Sequence, residues 1–220
     1  MANMKHLEVL QLGRWLHGSQ KHHIEVRNEG FLKELKSQKN LKYLSLRGMS
    51  GISNLLNILQ LERLETLDLK ACHNLETLPN DISSLRNLRH LNLSDCYLLD
   101  KMPRGIEKLT ELQELKGFVI GSHTKTACTI SDLRNLEKLK QLSIHIASKA
   151  VVKEREFEGL KEMSALEYLK ISWGTTETSY CDIEIILPPN LKKLHVKRIP
   201  ENSIPEWLKP GKLPLVLNEL

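Results

Sequence analysis

Residues 64–79 read LETLDLKACHNLETLP, and residues 88–103 read LRHLNLSDCYLLDKMP. The two segments start 24 residues apart and share leucine at the first, fourth, sixth and twelfth places, cysteine at the ninth and proline at the sixteenth. Each runs on into a second apolar series, Ile82/Leu85/Leu88 and Ile106/Leu109/Leu112. Self-similarity at a fixed period of this size marks an array of supersecondary units, none of which can cover its own apolar face.

Outward from this pair, the L-x-x-L-x-L spacing recurs along the chain. It reads Leu7/Leu10/Leu12, Leu41/Leu44/Leu46, Leu64/Leu67/Leu69 and Leu88/Leu91/Leu93, then Leu112/Leu115/Gly117, Leu139/Leu142/Ile144, Leu166/Leu169/Ile171 and Leu191/Leu194/Val196. Twenty of these 24 places are Leu, and the 220-residue chain contains 42 leucines in all. In a strand the second and third places of each triplet point to the same face, so that face is the interior and the residues between them face outward. Stacked units bring successive strands about 4.8 Å apart, and eight of them span an arc of roughly 34 Å. The ninth-place cysteines are small enough to sit inside where the chain leaves the strand. Pro79 and Pro103, lacking a donor, suit unpaired outer turns. The expected architecture is an α/β solenoid of horseshoe form, with a parallel inner sheet of about eight short strands and an irregular, short-helical convex side.

The whole chain, residues 1–220, reads as one repeat domain with units starting near residues 7, 41, 64, 88, 112, 139, 166 and 191 and an incomplete unit from 217. The first unit carries about ten extra residues, where His22–Arg27 alternates like an added strand and Gly30–Lys39 reads as a short helix burying Phe31, Leu32 and Leu35. Residues 121–132 and 174–182 read as longer loops. A full unit opens six residues into the chain and a ninth is begun at Leu217, so the expectation is a piece of a longer protein.

Composition narrows the function classes. Hydrophobic residues make up 40% and charged residues 27%, which argues for a globular chain rather than a disordered one. No stretch approaches the roughly 18 apolar residues of a spanning helix, and no secretory h-region stands at the N-terminus. Four cysteines without a CxxC pair suit free thiols in a reducing, cytoplasmic setting. The net charge of +5, 32 basic against 27 acidic residues, is spread without a basic tail, so no nucleic-acid partner is expected.

Several local marks resemble the leucine-rich repeat region of plant coiled-coil nucleotide-binding leucine-rich-repeat (NLR) disease resistance proteins. They are the paired turns Cys72–Pro79 and Cys96–Pro103, the element LQELKGFVIG at residues 112–121, LPPNLKKL at 187–194, and Pro205-Glu-Trp207-Leu208. The resemblance covers nearly all of residues 41–220 and fits residues 1–40 less well. It implies a non-enzymatic recognition domain that senses pathogen effectors or guarded host proteins and packs against the receptor's own nucleotide-binding domain. A phosphate-binding G-x-x-x-x-G-K-[ST] is not among the residues: Gly211-Lys212 is followed by Leu213, so no nucleotide chemistry transfers to this chain. Two alternatives are the substrate-recognition solenoid of a ubiquitin-ligase adaptor and a stand-alone repeat scaffold or decoy.

The outward positions yield the candidate site. The last two strands collect Tyr168, Lys170, Trp173, Lys193, His195, Lys197 and Arg198, an aromatic and basic cluster suited to an acidic protein surface. A weaker group joins Tyr43, Arg47, Lys70 and His90 across earlier strands. Phe118 is read as outward-facing, following the third place of its triplet. No metal, cofactor or catalytic set is expected. His17, His22 and His23 have no cysteine or carboxylate at ligand spacing. Cys72 and Cys96 occupy core positions, and Glu154, Glu156, Glu158 and Glu162 are interleaved with Lys153, Arg155 and Lys161.

Overall fold

The computed structural model describes residues 6–13, 24–25, 30–52, 55–122, 128–152, 155–174, 183–199 and 204–220. Its strands are β1 (Val9–Gln11), β2 (Ile24–Glu25), β3 (Tyr43–Ser45), β4 (Met49–Ser50), β5 (Thr66–Asp68), β6 (His90–Asn92), β7 (Glu114–Ile120), β8 (Gln141–Ile146), β9 (Tyr168–Trp173) and β10 (Lys193–Lys197). Eight form one parallel sheet in the order β1-β3-β5-β6-β7-β8-β9-β10, and β2 pairs with β4 beside it. Register follows the leucine lattice: Leu44 lies opposite Leu67, Leu67 opposite Leu91, Leu91 opposite Leu115, and Leu142 opposite Leu169. The expected parallel solenoid is therefore present, and the short strand of the first unit falls at Ile24–Glu25.

The core is one continuous cluster, mostly of leucines, between this sheet and the return segments. The return follows from a spacing of three. Ile58/Leu61/Leu64, Ile106/Leu109/Leu112 and Leu160/Met163/Leu166 are all buried. A period of three is that of the 3₁₀-helix, whose residues i and i+3 eclipse. The i→i−3 bonds are present: Leu61 N–H to Ile58 O at 2.9 Å, Leu64 N–H to Leu61 O at 2.9 Å and Leu109 N–H to Ile106 O at 3.0 Å. The α-helix α1 (Gly30–Leu35) buries Leu32 and Leu35 in the enlarged first unit.

Unit is tied to unit by a ladder at each strand entry. Arg89 N–H donates to Glu65 O, Gln113 N–H to Arg89 O and Lys140 N–H to Gln113 O, at 2.8–2.9 Å. At the exits Cys72 Sγ and Cys96 Sγ contact Leu46 O and Leu69 O of the preceding units, each at 3.1 Å. Burial raises both thiol pKa values, that of Cys96 to about 12, and that of Cys128 as well, so these three thiols are inert at neutral pH. Cys181 lies outside the described residues.

One lattice place departs from expectation, and it reshapes the inner face. Gly117, read as the third place of its triplet, has φ +79°, and the β7–β8 register shifts between Lys116 and Phe118. Gly117 is the extra residue of a β-bulge. Phe118 therefore pairs opposite Ile144, points inward and is 1% exposed, while Val119 takes the outward place opposite His145. This corrects the outward reading of Phe118. A second constraint closes the same element: a Cβ on Gly121 would stand 1.8 Å from Asp100 O. Of the expected loops, residues 123–127 and 175–182 lie outside the described residues, while Ile130–Asn135 is a 3₁₀-helix capped by Thr129 and Asp132.

Candidate functional site: the concave face

The inner sheet presents its outward residues as rows that cross the units. In the units of β3, β5, β6 and β10 the exit turn contains a left-handed residue two places after the third lattice position: Gly48 (φ 73°), Ala71 (φ 60°), Asp95 (φ 64°) and Arg198 (φ 59°). In β7, β8 and β9 the strands run on instead, and the added inward places are filled by Ile120, Ile146 and Trp173. Trp173 thus follows Leu169 and Ile171 into the core at 3% exposure. It does not belong to the surface cluster in which its sequence neighbours place it, because alternation along β9 fixes its side. Its Nε1 is buried without a hydrogen-bond partner among the described residues.

The remaining members of the C-terminal cluster divide into two groups. Lys193 is bound to Glu219 at 2.6 Å, which raises its pKa, and neighbouring Lys192 pairs with Glu167 at 3.0 Å. Tyr168 is half-buried and His195 exposed. Lys170, Lys197 and Arg198 have no carboxylate partner among the described residues. Burial, and then the Lys197 charge, lowers the pKa of Lys170.

The second group is woven with acids. Lys70 pairs with Asp95 at 3.6 Å, and Glu114 contacts both Lys116 and His90, the latter at 3.2 Å. Burial, then the charges of Lys116 and Arg89, lowers the His90 pKa, so near pH 7 this contact is a hydrogen bond from a neutral imidazole. Tyr43 and Arg47 are half-buried, and Arg47 Nε is buried without a hydrogen-bond partner among the described residues. The candidate metal histidines His17, His22 and His23 lie outside the described residues.

Between the two groups is a pocket of about 80 Å³ lined by Ser94, Asp95, Tyr97, Val119, Ser143, His145, Lys170 and Ser172. Small residues and the bulge create it. Gly117 N–H donates to Ser143 Oγ at 2.8 Å, leaving the Ser143 hydroxyl hydrogen for another acceptor. Ser172 Oγ donates to Ile144 O and accepts from His145 Nδ1, both at 3.2 Å. That assigns the proton of the neutral ring to Nδ1 and leaves Nε2 as an acceptor. Burial, and then Arg198, lowers the His145 pKa. Tyr97 is 66% exposed, stacks on His73 at 5.1 Å and feels the charges of both Asp95 and Arg198. Asp95, Tyr97 and His145 were not singled out from sequence. Their common signal is proximity to the exit turns, one step beyond the rows that the leucine spacing defines.

The comparisons with known proteins agree with this geometry. A family described as "Leucine-rich repeat region" matches residues 1–218. The chain is 28% identical over 156 residues to Disease resistance RPP13-like protein 4 of Arabidopsis thaliana, covering 68% of this chain and 15% of that protein. Internalin C2 of Listeria monocytogenes superposes with a TM-score of 0.52 at 20% identity, over 75% of this chain and 65% of that one. The chain thus spans a small part of the curated plant relative, and the likeness to internalin is one of fold. No helix among the described residues is long and apolar enough to cross a membrane.

Proposed function

Because this chain belongs to the leucine-rich repeat region family, we propose that it is a protein-recognition solenoid serving as the sensing region of a plant intracellular immune receptor. The partners it suits are a pathogen effector or guarded host protein and, in the resting state, the receptor's own nucleotide-binding domain. The observation that carries this reading is the open inner sheet whose C-terminal end holds Lys170, Lys197 and Arg198 with no ion-paired carboxylate among the described residues. Unpaired cations beside exposed aromatic surface suit an acidic protein face and speed encounter with it. Similarity to the Arabidopsis disease resistance protein supports the receptor context.

The test is affinity capture from leaf extract with the native chain and with a Lys197→Glu/Arg198→Glu variant. Both side chains are exposed, so folding is retained, and circular dichroism verifies it. The expected result is loss from the variant of the acidic proteins held by the native chain. Equal capture by both chains would overturn the assignment of recognition to this end of the concave face.

A further inference from the structure

The central pocket has a polarity of its own. Its donors are the Lys170 ammonium, the Ser143 hydroxyl freed by its bond from Gly117, and the hydroxyls of Ser94 and Tyr97. Its acceptors are His145 Nε2 and Asp95, which is partly neutralised by Lys70. The Lys197 charge acts on Lys170 and the Arg198 charge on His145 and Tyr97, and Leu98, 52% exposed, follows Tyr97 in the chain. A phosphate dianion would set two negative charges against the Asp95 carboxylate. A peptide carboxylate brings one charge to the donors and its neighbouring backbone N–H groups to the acceptors.

Resting on the recognition reading above, we propose that this pocket seats one carboxylate side chain of an acidic peptide segment, with Lys170, Ser94, Ser143 and Tyr97 as its donors. Lys197 and Arg198 act as outer guide charges. The residue following the carboxylate packs on Tyr97 and Leu98, so the preferred segment has an acidic side chain next to an apolar one. The small volume admits a single head group, which makes the pocket a specificity point within a wider protein interface.

The experiment uses the full 220-residue chain. A fluorescein-labelled peptide of about nine residues, with Asp-Glu-Leu at its centre in a Gly/Ser frame, is compared by fluorescence anisotropy with its Asn-Gln-Leu counterpart in about 50 mM salt. The acidic peptide is expected to bind about tenfold more tightly than the neutral one, and Lys170→Gln to remove most of that preference. Lys192→Gln, outside the pocket and paired with Glu167, is expected to change binding less than about twofold. Ser143→Ala weakens the acidic peptide while leaving the neutral one unchanged. Equal binding of the two peptides, no binding of either, or equal losses in Lys170→Gln and Lys192→Gln would each overturn the proposal. So would displacement of the peptide by inorganic phosphate or a thymidine oligonucleotide as readily as by unlabelled peptide, which would mean bare electrostatic attraction. The two readings fail separately. Partner loss in Lys197→Glu/Arg198→Glu without a peptide preference sinks the pocket and leaves the face. A peptide preference with unchanged partner capture does the reverse.

Discussion

Replacing Gly117 with alanine tests whether the bulge in β7 is required by the fold. A Cβ at this position would lie 2.5 Å from Leu93 C, 2.6 Å from Leu93 O and 2.7 Å from Ser94 N, all of them backbone atoms of the neighbouring unit. Those atoms cannot swing aside as a side-chain tip would, since β6 is itself paired with β5 and β7. The left-handed conformation costs an alanine about 1–2 kcal/mol, and forcing an extra methyl into a packed site costs about 1–3 kcal/mol. The sum is a destabilisation of about 2–5 kcal/mol. At about 2–4 °C per kcal/mol for a chain of this size, the melting midpoint should fall by roughly 4–20 °C. Flattening the bulge instead would turn Phe118 out to solvent and Val119 into the core, which gives no escape. Circular dichroism melts and urea midpoints are the assay, compared as midpoints because repeat arrays need not unfold in one step. Gly211→Ala is the control, since nothing lies within 4 Å of its added Cβ, and it should be neutral within about 0.5 kcal/mol. A Gly117→Ala chain melting with the native one would refute the bulge geometry and the pocket built on it.

Other consequences follow from the same contacts. The His145 pKa is lowered in the folded chain by burial and by Arg198, so the unfolded chain takes up the proton first. The stability this group provides is complete above its unfolded pKa of about 6.5 and lost as pH falls through the folded value. The urea midpoint should drop from neutral to mildly acidic pH, and His145→Gln should flatten that slope, with the ring titrating below about 6.5 by NMR. Cys72, Cys96 and Cys128 should resist N-ethylmaleimide in the native chain near pH 8 and react in urea, as peptide mass mapping would read; labelling of native Cys96 would contradict its burial. Trp173→Phe should cost less than about 1.5 kcal/mol because the donor it removes is unpartnered, whereas Trp173→Ala should cost about 3–5 kcal/mol. A red-shifted native emission that does not change in Trp173→Phe would place this indole in water.

The fold was legible because one spacing encodes it twice. L-x-x-L-x-L gives the strand and its inward face, and the leucines at every third place give the return, which is why Leu44, Leu67, Leu91 and Leu115 stack in register. The face of β7 was less legible, since glycine at a lattice place is silent about direction. The apolar run Phe118-Val119-Ile120 after it was the available sign of a strand that continues past a bulge. Trp173 was readable from period-two alternation beyond Leu169 and Ile171, and was misplaced only by grouping it with its charged neighbours. Charge pairing was not readable, because Lys193 and Glu219 meet only once the register of β10 against the chain's last residues is set. The pocket depends on left-handed exit turns that put Asp95 beside Lys70 and on curvature that lets Arg198 act on Tyr97 and His145. Neither has a local signature.

The arrangement of charge across the rows bears on what the concave face is for. The residues that follow the first leucine of each unit alternate in sign along the array: Glu8, Lys42, Glu65, Arg89, then Gln113, Lys140, Glu167 and Lys192. Their side chains pair across the turns, Glu8 with Lys42 at 3.0 Å, Glu65 with Arg89 at 3.5 Å and Glu167 with Lys192 at 3.0 Å. A parallel stack puts equivalent residues of neighbouring strands side by side, so alternation removes like-charge repulsion at every step. The row on the other edge of the face runs Arg47, Lys70, Ser94, Val119, His145, Ser172 and Lys197, and has no carboxylate at all. Stability alone would favour the alternating pattern in both rows, since the same lattice accommodates it. Among the described residues the basic row forms an ion pair only where an exit turn supplies Asp95, opposite Lys70. Toward β9 and β10 no carboxylate of the described residues forms an ion pair with Lys197, Lys170 or Arg198, and Asp95 acts on Lys170 only from beyond ion-pair distance. Negative charge brought by a binding partner would balance that end of the row as Asp95 balances Lys70, which is the electrostatic ground for proposing recognition there.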